Sequence, residues 1–313
     1  MWADRTCYFA RMITLLVLGL FLPTCHNRPL VNLNIDLPVE NDDLFNYLRQ
    51  YQYLPAHLSS INGHSFNEAC RLLVNDLGLE TESDLSDLQS LLRRPRCAKP
   101  PETSRKKRFV PHKNKWRFTD ITWKIRDPFT MFKYKTDYDI VREILREAFR
   151  LWSEASDQVL VFQDLSDDLR EADIDIFFAL GDHGDHEPFD GTGGIVAHTG
   201  YPAEGKMHFD AAEFWTLYSE LGIDFRYVAL HEVGHALGLR HSRHNDSIMY
   251  PIYRRSSPQE DLGLQKDDIR GIRYLYPYSF TRTNNQESLS GYSNAVFLMK
   301  QNKLKRIDHQ SFN

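Results

Sequence analysis

The chain holds 313 residues, 42% of them hydrophobic and 26% charged, with a formal net charge of −5 at pH 7. That length makes one to three domains with enough apolar material for folded cores. Its 43 acidic residues against 38 basic ones exclude the basic balance of a nucleic-acid binder. Arg5 and Arg11 lead into an apolar run over 12–22. Such a run is too short to cross a bilayer and has the size of a signal-peptide core, so 1–25 reads as a signal peptide cleaved near Cys25. No later run is long and apolar enough for an anchor, and no membrane attachment is expected.

Residues 26–40 are polar and irregular. Over 42–93 the apolar positions repeat at helical spacing. Leu44, Tyr47 and Leu48 make one face, Ala69, Leu72, Leu73 and Leu77 a second, and Leu85, Leu88, Leu91 and Leu92 a third. Ser65 is expected to cap the second helix, with Glu68 completing a capping box. These faces make a small all-α domain; with the processing site that ends it, the stretch 26–108 reads as a propeptide carrying that prodomain. It ends in PRCAKPPETSRKKR over 95–108, with three prolines and six basic residues. Proline fixes φ and lacks a donor, so no regular element runs through. Arg105, Lys106, Lys107 and Arg108 form a basic cluster in an exposed linker, the setting in which processing proteases cut. The expected activator is a proprotein convertase. Cys7, Cys25, Cys70 and Cys97 are the only cysteines, and none follows Phe109. A secreted body without disulfides needs another fastening, for which bound metal serves.

The second domain, 109–277, opens with a strand over 121–125. Ile140, Val141, Ile144, Leu145, Ala148, Leu151 and Trp152 then mark a long amphipathic helix. Strands follow at 159–162, 174–178, 194–198 and 206–210, and helices at 226–237 and 266–275. This order makes the class α/β or α+β. Residues 278–313 are polar and aperiodic and read as a disordered tail.

The decisive segment is HEVGHALGLRH over 231–241. Residues i and i+4 share one helix face, so His231 and His235 point at one ion. Zinc accepts neutral imidazole in tetrahedral geometry. Gly238 takes positive φ at no steric cost and lets the chain leave the helix, so His241 returns as third ligand. The fourth position stays open for solvent, and Glu232, beside the first ligand, is placed as general base. The chemistry implied is peptide hydrolysis without a covalent intermediate.

With Ser242 after the third histidine and Met249 in SIMYP, this stretch resembles the matrix metalloproteinases, or matrixins, of the metzincin class. The resemblance implies a catalytic domain with a twisted, mixed five-stranded sheet and three helices, and Met249 as an apolar floor beneath the zinc. It also implies a structural zinc held by His183, Asp185, His198 and His208. His186 lies close enough in sequence to compete. A calcium site would use Asp190, Asp210 and Glu213 with the carbonyls of Gly191, Gly193 and Ile195. The 199–207 loop is shorter than the family's, which weighs against a second calcium site using Asp173. Cys97 in Pro95-Arg96-Cys97 resembles the family's cysteine switch, whose thiolate fills the open zinc position. Here Ala98 and Pro101 stand where the family has glycine and aspartate, so weaker latency follows. A Cys70–Cys97 disulfide is the alternative. Cleavage after Arg108 would free Phe109 to pair with Asp267 or Asp268. Tyr227 is either a core aromatic or the wall of a shallow substrate pocket. The 194–198 strand would be a sheet edge on which an extended substrate adds. Asn245-Asp246-Ser247 is a glycosylation sequon. No haemopexin-like repeat follows Tyr276. Expected partners are extracellular protein substrates and protein inhibitors of metalloproteinases, and a monomer is expected.

Overall fold

In the computed structural model, residues 41–54, 63–79, 88–97, 115–185, 187–216, 222–253 and 262–279 are described. The signal peptide, the Arg105–Arg108 cluster, Phe109, Ala98, Pro101, His186 and the 278–313 tail beyond residue 279 fall outside them.

The N-terminal helical region, expected to be a prodomain, holds α1 (Asn41–Gln50), α2 (Gly63–Asp76) and α3 (Leu88–Leu92). Helix α2 begins at Gly63, so Ser65 lies within its first turn and does not precede it as a cap. The apolar faces read from the sequence do meet: Leu44, Tyr47, Leu48, Ala69, Leu73, Leu77 and Leu88 form one buried cluster. Tyr250 and Ile252 of the second domain complete that cluster, with Ile195 packed against it. A helical region this small cannot enclose a core alone, and it borrows apolar surface from its neighbour.

In the second domain a sheet of β1 (Asp120–Ile125), β2 (Val161–Asp164), β3 (Ile174–Ala179), β4 (Ala197–Thr199) and β5 (Lys206–Asp210) runs in the order β2-β1-β3-β5-β4. Pairings are parallel except that β4 lies antiparallel on β5 at the edge. Helix α4 (Lys135–Ala155) buries Val141, Leu145, Ala148, Phe149 and Trp152, the stripe read from the sequence. Helix α5 (Phe225–Ala236) is buried along nearly its whole length, and α6 (Lys266–Leu275) closes the domain. A two-stranded ribbon, β6 (Trp215–Thr216) with β7 (Ile223–Asp224), was not foreseen.

Two expected strands shift. Val159 and Leu160 are buried but precede β2, because Asp157 and Gln158 turn the chain with φ of 55° and 61°. Gly194 has φ of 70°, so pairing with β5 starts only at Ala197. Helix α5 is fastened from both sides: Trp152 Nε1 donates to the Leu230 carbonyl and Trp116 Nε1 to that of Ala236, each at 2.8 Å. Both bonds satisfy indole donors that would otherwise be buried unpaired.

Candidate metal centres

His231 and His235 lie one turn apart on α5. His231 Nδ1 donates to the Ile248 carbonyl and His235 Nδ1 to the Leu239 carbonyl, both at 2.7 Å. A carbonyl only accepts, so each Nδ1 carries the proton. Burial pushes the His231 pKa down, which keeps its Nε2 bare. The two Nε2 atoms face each other at 3.0 Å. With no proton between them, two lone pairs at this separation suit a shared cation. Gly238, at φ of 97°, ends the helix as expected and turns His241 back. Cys97, His231, His235 and His241 then present ligand atoms that all lie within 4.8 Å of one another. All four are buried.

Gly234 within the motif has a steric reason. A Cβ there would stand 2.3 Å from Met249 Sδ and 2.9 Å from Trp152 Cζ2. The absence of a side chain lets the Met249 turn slide under the helix. Asp268 pins that turn: its carboxylate accepts from Ser247 Oγ at 2.5 Å, the Ile248 N–H at 3.0 Å and the Met249 N–H at 3.2 Å. Asp267 accepts from Ser242 Oγ at 2.7 Å. These carboxylates, expected to receive the Phe109 ammonium, thus hold the floor of the site. Glu232 is fully buried and accepts at both oxygens, from Tyr253 Oη at 2.7 Å and Thr199 Oγ1 at 2.6 Å.

The second histidine group also assembles. Asp185 Oδ2 lies 2.9 Å from His183 Nε2, His198 Nε2 and His208 Nδ1. His183 Nδ1 donates to the Gly181 carbonyl at 2.8 Å, which orients its ring. His198 and His208 are register partners on β4 and β5 and project to the same face. Three imidazoles and one carboxylate make a closed tetrahedral set.

The acidic loop is looser. Asp190 Oδ1 accepts the Ile195 N–H at 3.1 Å, and Glu213 Oε1 accepts the Gly193 N–H at 2.6 Å. Asp210 Oδ2 is buried without a partner. Burial raises the pKa of Asp190 and Asp210 and pushes Glu213 up to about 7, where Asp210 and Asp190 add their repulsion. Crowded acids and an orphaned oxygen fit a hard cation, although these side chains do not converge as the histidine groups do.

The Pro95–Cys97 segment lies in the cleft as an added strand. The Arg96 N–H donates to the Gly194 carbonyl at 3.0 Å and the Cys97 N–H to that of Pro251 at 3.2 Å, while the Tyr253 N–H donates to Pro95 at 3.1 Å. Cys70 and Cys97 are both free thiols, so the alternative disulfide is not formed. Arg96 is fully buried. Its Nη1 donates to Tyr47 Oη at 2.8 Å and Tyr53 Oη at 3.2 Å, and Nη2 lies 3.4 Å from Asp76. Its guanidinium carbon also sits 4.5 Å from the Tyr51 ring centroid, a cation–π contact. Sequence reading missed this cage: Tyr47 registers only as part of a helix face, and Tyr51 and Tyr53, which follow the helix, carry no signal. Tyr227 is buried and meets Tyr253 edge-on. Asn245 is exposed, beside a crevice shared with Leu77, Gly78 and Leu91 of the prodomain.

A buried HExxH helix under an edge strand, with three histidines and a methionine turn below, defines a zinc metalloendopeptidase. Residues 115–277 match the Matrixin family model, and the chain belongs to that family. It is 34% identical to rat (Rattus norvegicus) matrilysin over 274 residues, covering 85% of this chain and 97% of that protein. It is 36% identical to human (Homo sapiens) matrix metalloproteinase-15 over 256 residues, which are 74% of this chain but 37% of that protein. Metalloendoproteinase 4-MMP of Arabidopsis thaliana is 35% identical over 74% of this chain and 70% of its own length. The chain thus spans little more than a third of the human relative and nearly all of the rat one.

Proposed function

We propose that this chain is the latent precursor of a secreted zinc endopeptidase that cuts extracellular matrix and other extracellular proteins. The observation that carries the reading is the convergence of Cys97, His231, His235 and His241 beside Glu232. Zinc held by the three histidines would polarise the scissile carbonyl and acidify a water. Glu232 accepts the proton of that attacking water and returns it to the leaving amine. A peptide seats where Pro95–Cys97 now lies, between the Gly194–Val196 stretch and Pro251–Tyr253, through backbone bonds of the kind Arg96 makes. Tyr227 lies in the hydrophobic core beside Tyr253; the ring would limit the depth of a substrate pocket opening beside Tyr253.

Latency rests on Cys97 as fourth ligand, since a thiolate binds zinc strongly. The caged Arg96 supports it, holding the segment where Pro101 removes the usual carboxylate. A convertase cutting after Arg108 would release the segment. His183, Asp185, His198 and His208 are proposed to hold a structural zinc. Calcium is proposed at Asp190, Asp210 and Glu213, with carbonyls of Gly191, Gly193 and Ile195. Secretion follows from the signal-like 1–25 segment. Among the described residues no helix is long and apolar enough to cross a membrane. A glycan on Asn245 and capture by metalloproteinase inhibitors belong to the same reading.

The test is digestion of a protein substrate by the processed chain, its Glu232→Gln variant and a chelator-treated sample. The expected result is cutting by the parent alone, with the variant down about a thousandfold or more at unchanged zinc content. Unchanged cutting by either control would overturn the reading.

A further inference from the structure

Thr199 and Glu232 meet because of a one-residue alternation. Along a strand, successive side chains point to opposite faces. On β4, His198 faces His208 and the second histidine group, while Thr199 faces α5. Its hydroxyl is fully buried and donates to Glu232 Oε2 at 2.6 Å. From the opposite wall of the cleft Tyr253, also buried, donates through Oη to Glu232 Oε1 at 2.7 Å. Each carboxylate oxygen thus has one lone pair committed and another open.

We infer that Thr199 and Tyr253 are positioning residues for Glu232, each fixing one oxygen of the carboxylate. The inference rests on the reading of Glu232 as general base. A glutamate has three side-chain torsions, and an untethered one spreads its carboxylate over several rotamers. Two charge-assisted bonds from opposite sides select one. They also link the base to the seat of the peptide. Thr199 ends the edge strand that continues from Ile195 and Val196, and Tyr253 ends the Pro251–Tyr253 wall; the Pro95–Cys97 segment bonds to both walls, through Arg96 to the first and through Pro95 and Cys97 to the second. A substrate that docks between them is therefore set in register with the group that activates its attacking water. Proton transfer needs donor and acceptor within hydrogen-bond reach, so this registration acts on turnover, not on binding.

A purely structural role, satisfying a buried carboxylate, predicts a different outcome from positioning. The experiment uses the full chain, zinc-loaded and processed in its linker, with steady-state kinetics, zinc content and thermal midpoint measured for Thr199→Val, Thr199→Ala, Thr199→Ser, Tyr253→Phe and Glu232→Gln. Positioning predicts that Thr199→Val and Tyr253→Phe each lower kcat about tenfold, with KM within about twofold and zinc retained. Thr199→Ser, which keeps the donor, restores kcat. If Thr199→Val does not fold, the kcat ratio of Thr199→Ser to Thr199→Ala carries the same decision. The inference is overturned if kcat stays at the parental value, if Thr199→Ser falls as far as Thr199→Val or Thr199→Ala, or if the loss tracks zinc content or KM alone. Glu232→Gln separates the two levels. Parental turnover in that variant sinks the base assignment itself, whereas an inactive Glu232→Gln beside a fully active Thr199→Val sinks only the positioning role.

Discussion

The two histidine groups each gather three imidazoles and differ in where the fourth candidate ligand comes from. At His183, His198 and His208 it is Asp185, two residues from the first histidine in the same loop. At His231, His235 and His241 it is Cys97, on a segment tied to the prodomain through Arg96. A ligand from the site's own loop cannot leave without unfolding that loop. A ligand on a separable segment can, and its departure opens a coordination position. The two fourth donors thus differ in chemistry, a carboxylate against a thiol, and in covalent route: Asp185 belongs to the loop of its own group, Cys97 to a segment distant in sequence from the histidines it faces.

The largest expected effect breaks the pair apart directly. His235→Ala should lower proteolysis by roughly three orders of magnitude or more while the protein stays folded, because a metal that cannot be held cannot polarise substrate. His208→Ala should instead lower the thermal midpoint by roughly 5 °C or more, because structural metal binding is folding energy. Calorimetry and a digestion assay on both variants decide the matter. Loss of activity with an unchanged midpoint in His208→Ala would erase the distinction drawn between the groups.

Next in size is the fourth ligand itself. Cys97→Ser should make the uncut precursor hydrolyse a short peptide at least about tenfold faster than the uncut parent, since a serine hydroxyl is a far poorer zinc ligand than a thiolate. Asp76→Ala should act in the same direction through the cage. It removes the carboxylate facing a fully buried cation, and breaking such a pair costs about 3–5 kcal/mol. Part of that cost falls on the docked segment, so conversion of the precursor to the processed form should speed up, read as a time course on a gel. A Cys97→Ser precursor as inert as the parent would show that the segment blocks the cleft by bulk alone.

The two groups were not equally legible in the sequence. His231 and His235 are readable because i,i+4 geometry is local to one helix, and Gly238 marks where the chain leaves it. His183, Asp185, His198 and His208 came through family resemblance, since nothing local states that β4 and β5 bring His198 opposite His208. Thr199 carries no signal at all until that register is known. The Arg96 cage joins Tyr47, 49 positions away, and Tyr53, 43 away; helical periodicity places Tyr47 on an apolar face and says nothing of Tyr53, which lies past the end of α1. Boundary shifts have a similar origin. Hydrophobicity marks burial, and Val159 and Leu160 are buried without being paired. The fold class, the three long helices of the second domain and strands β1, β3 and β5 were within reach because each spans several residues of one period, whereas β4 has only three residues, all buried.

The smallest effect sharpens the comparison by adding the acidic loop, where the carboxylates behave in the opposite way to Asp185. Burial opposes the charge of Asp185, but the Glu187 N–H and the neighbouring His198 and His183 outweigh it and hold the carboxyl down at about 2. At Glu213 the Gly193 N–H alone opposes burial and the neighbouring Asp210 and Asp190 add to it, so burial takes the carboxyl up to about 7 from an ordinary value of 4.5. A carboxyl whose folded pKa is raised binds its proton more tightly in the folded state. Its contribution to stability is fully present below about 4.5 and is lost as pH rises through about 7. In calcium-free buffer the thermal midpoint should therefore fall by roughly 3–6 °C between pH 5 and pH 8. Calcium should reverse the trend, because the cation binds the ionised carboxylates and stabilises the folded chain by mass action. Glu213→Gln should remove most of the pH dependence and weaken the calcium response together. A midpoint in the parent that ignores calcium at pH 8, while still falling with pH, would leave the acidic loop as a strained turn and not a cation site.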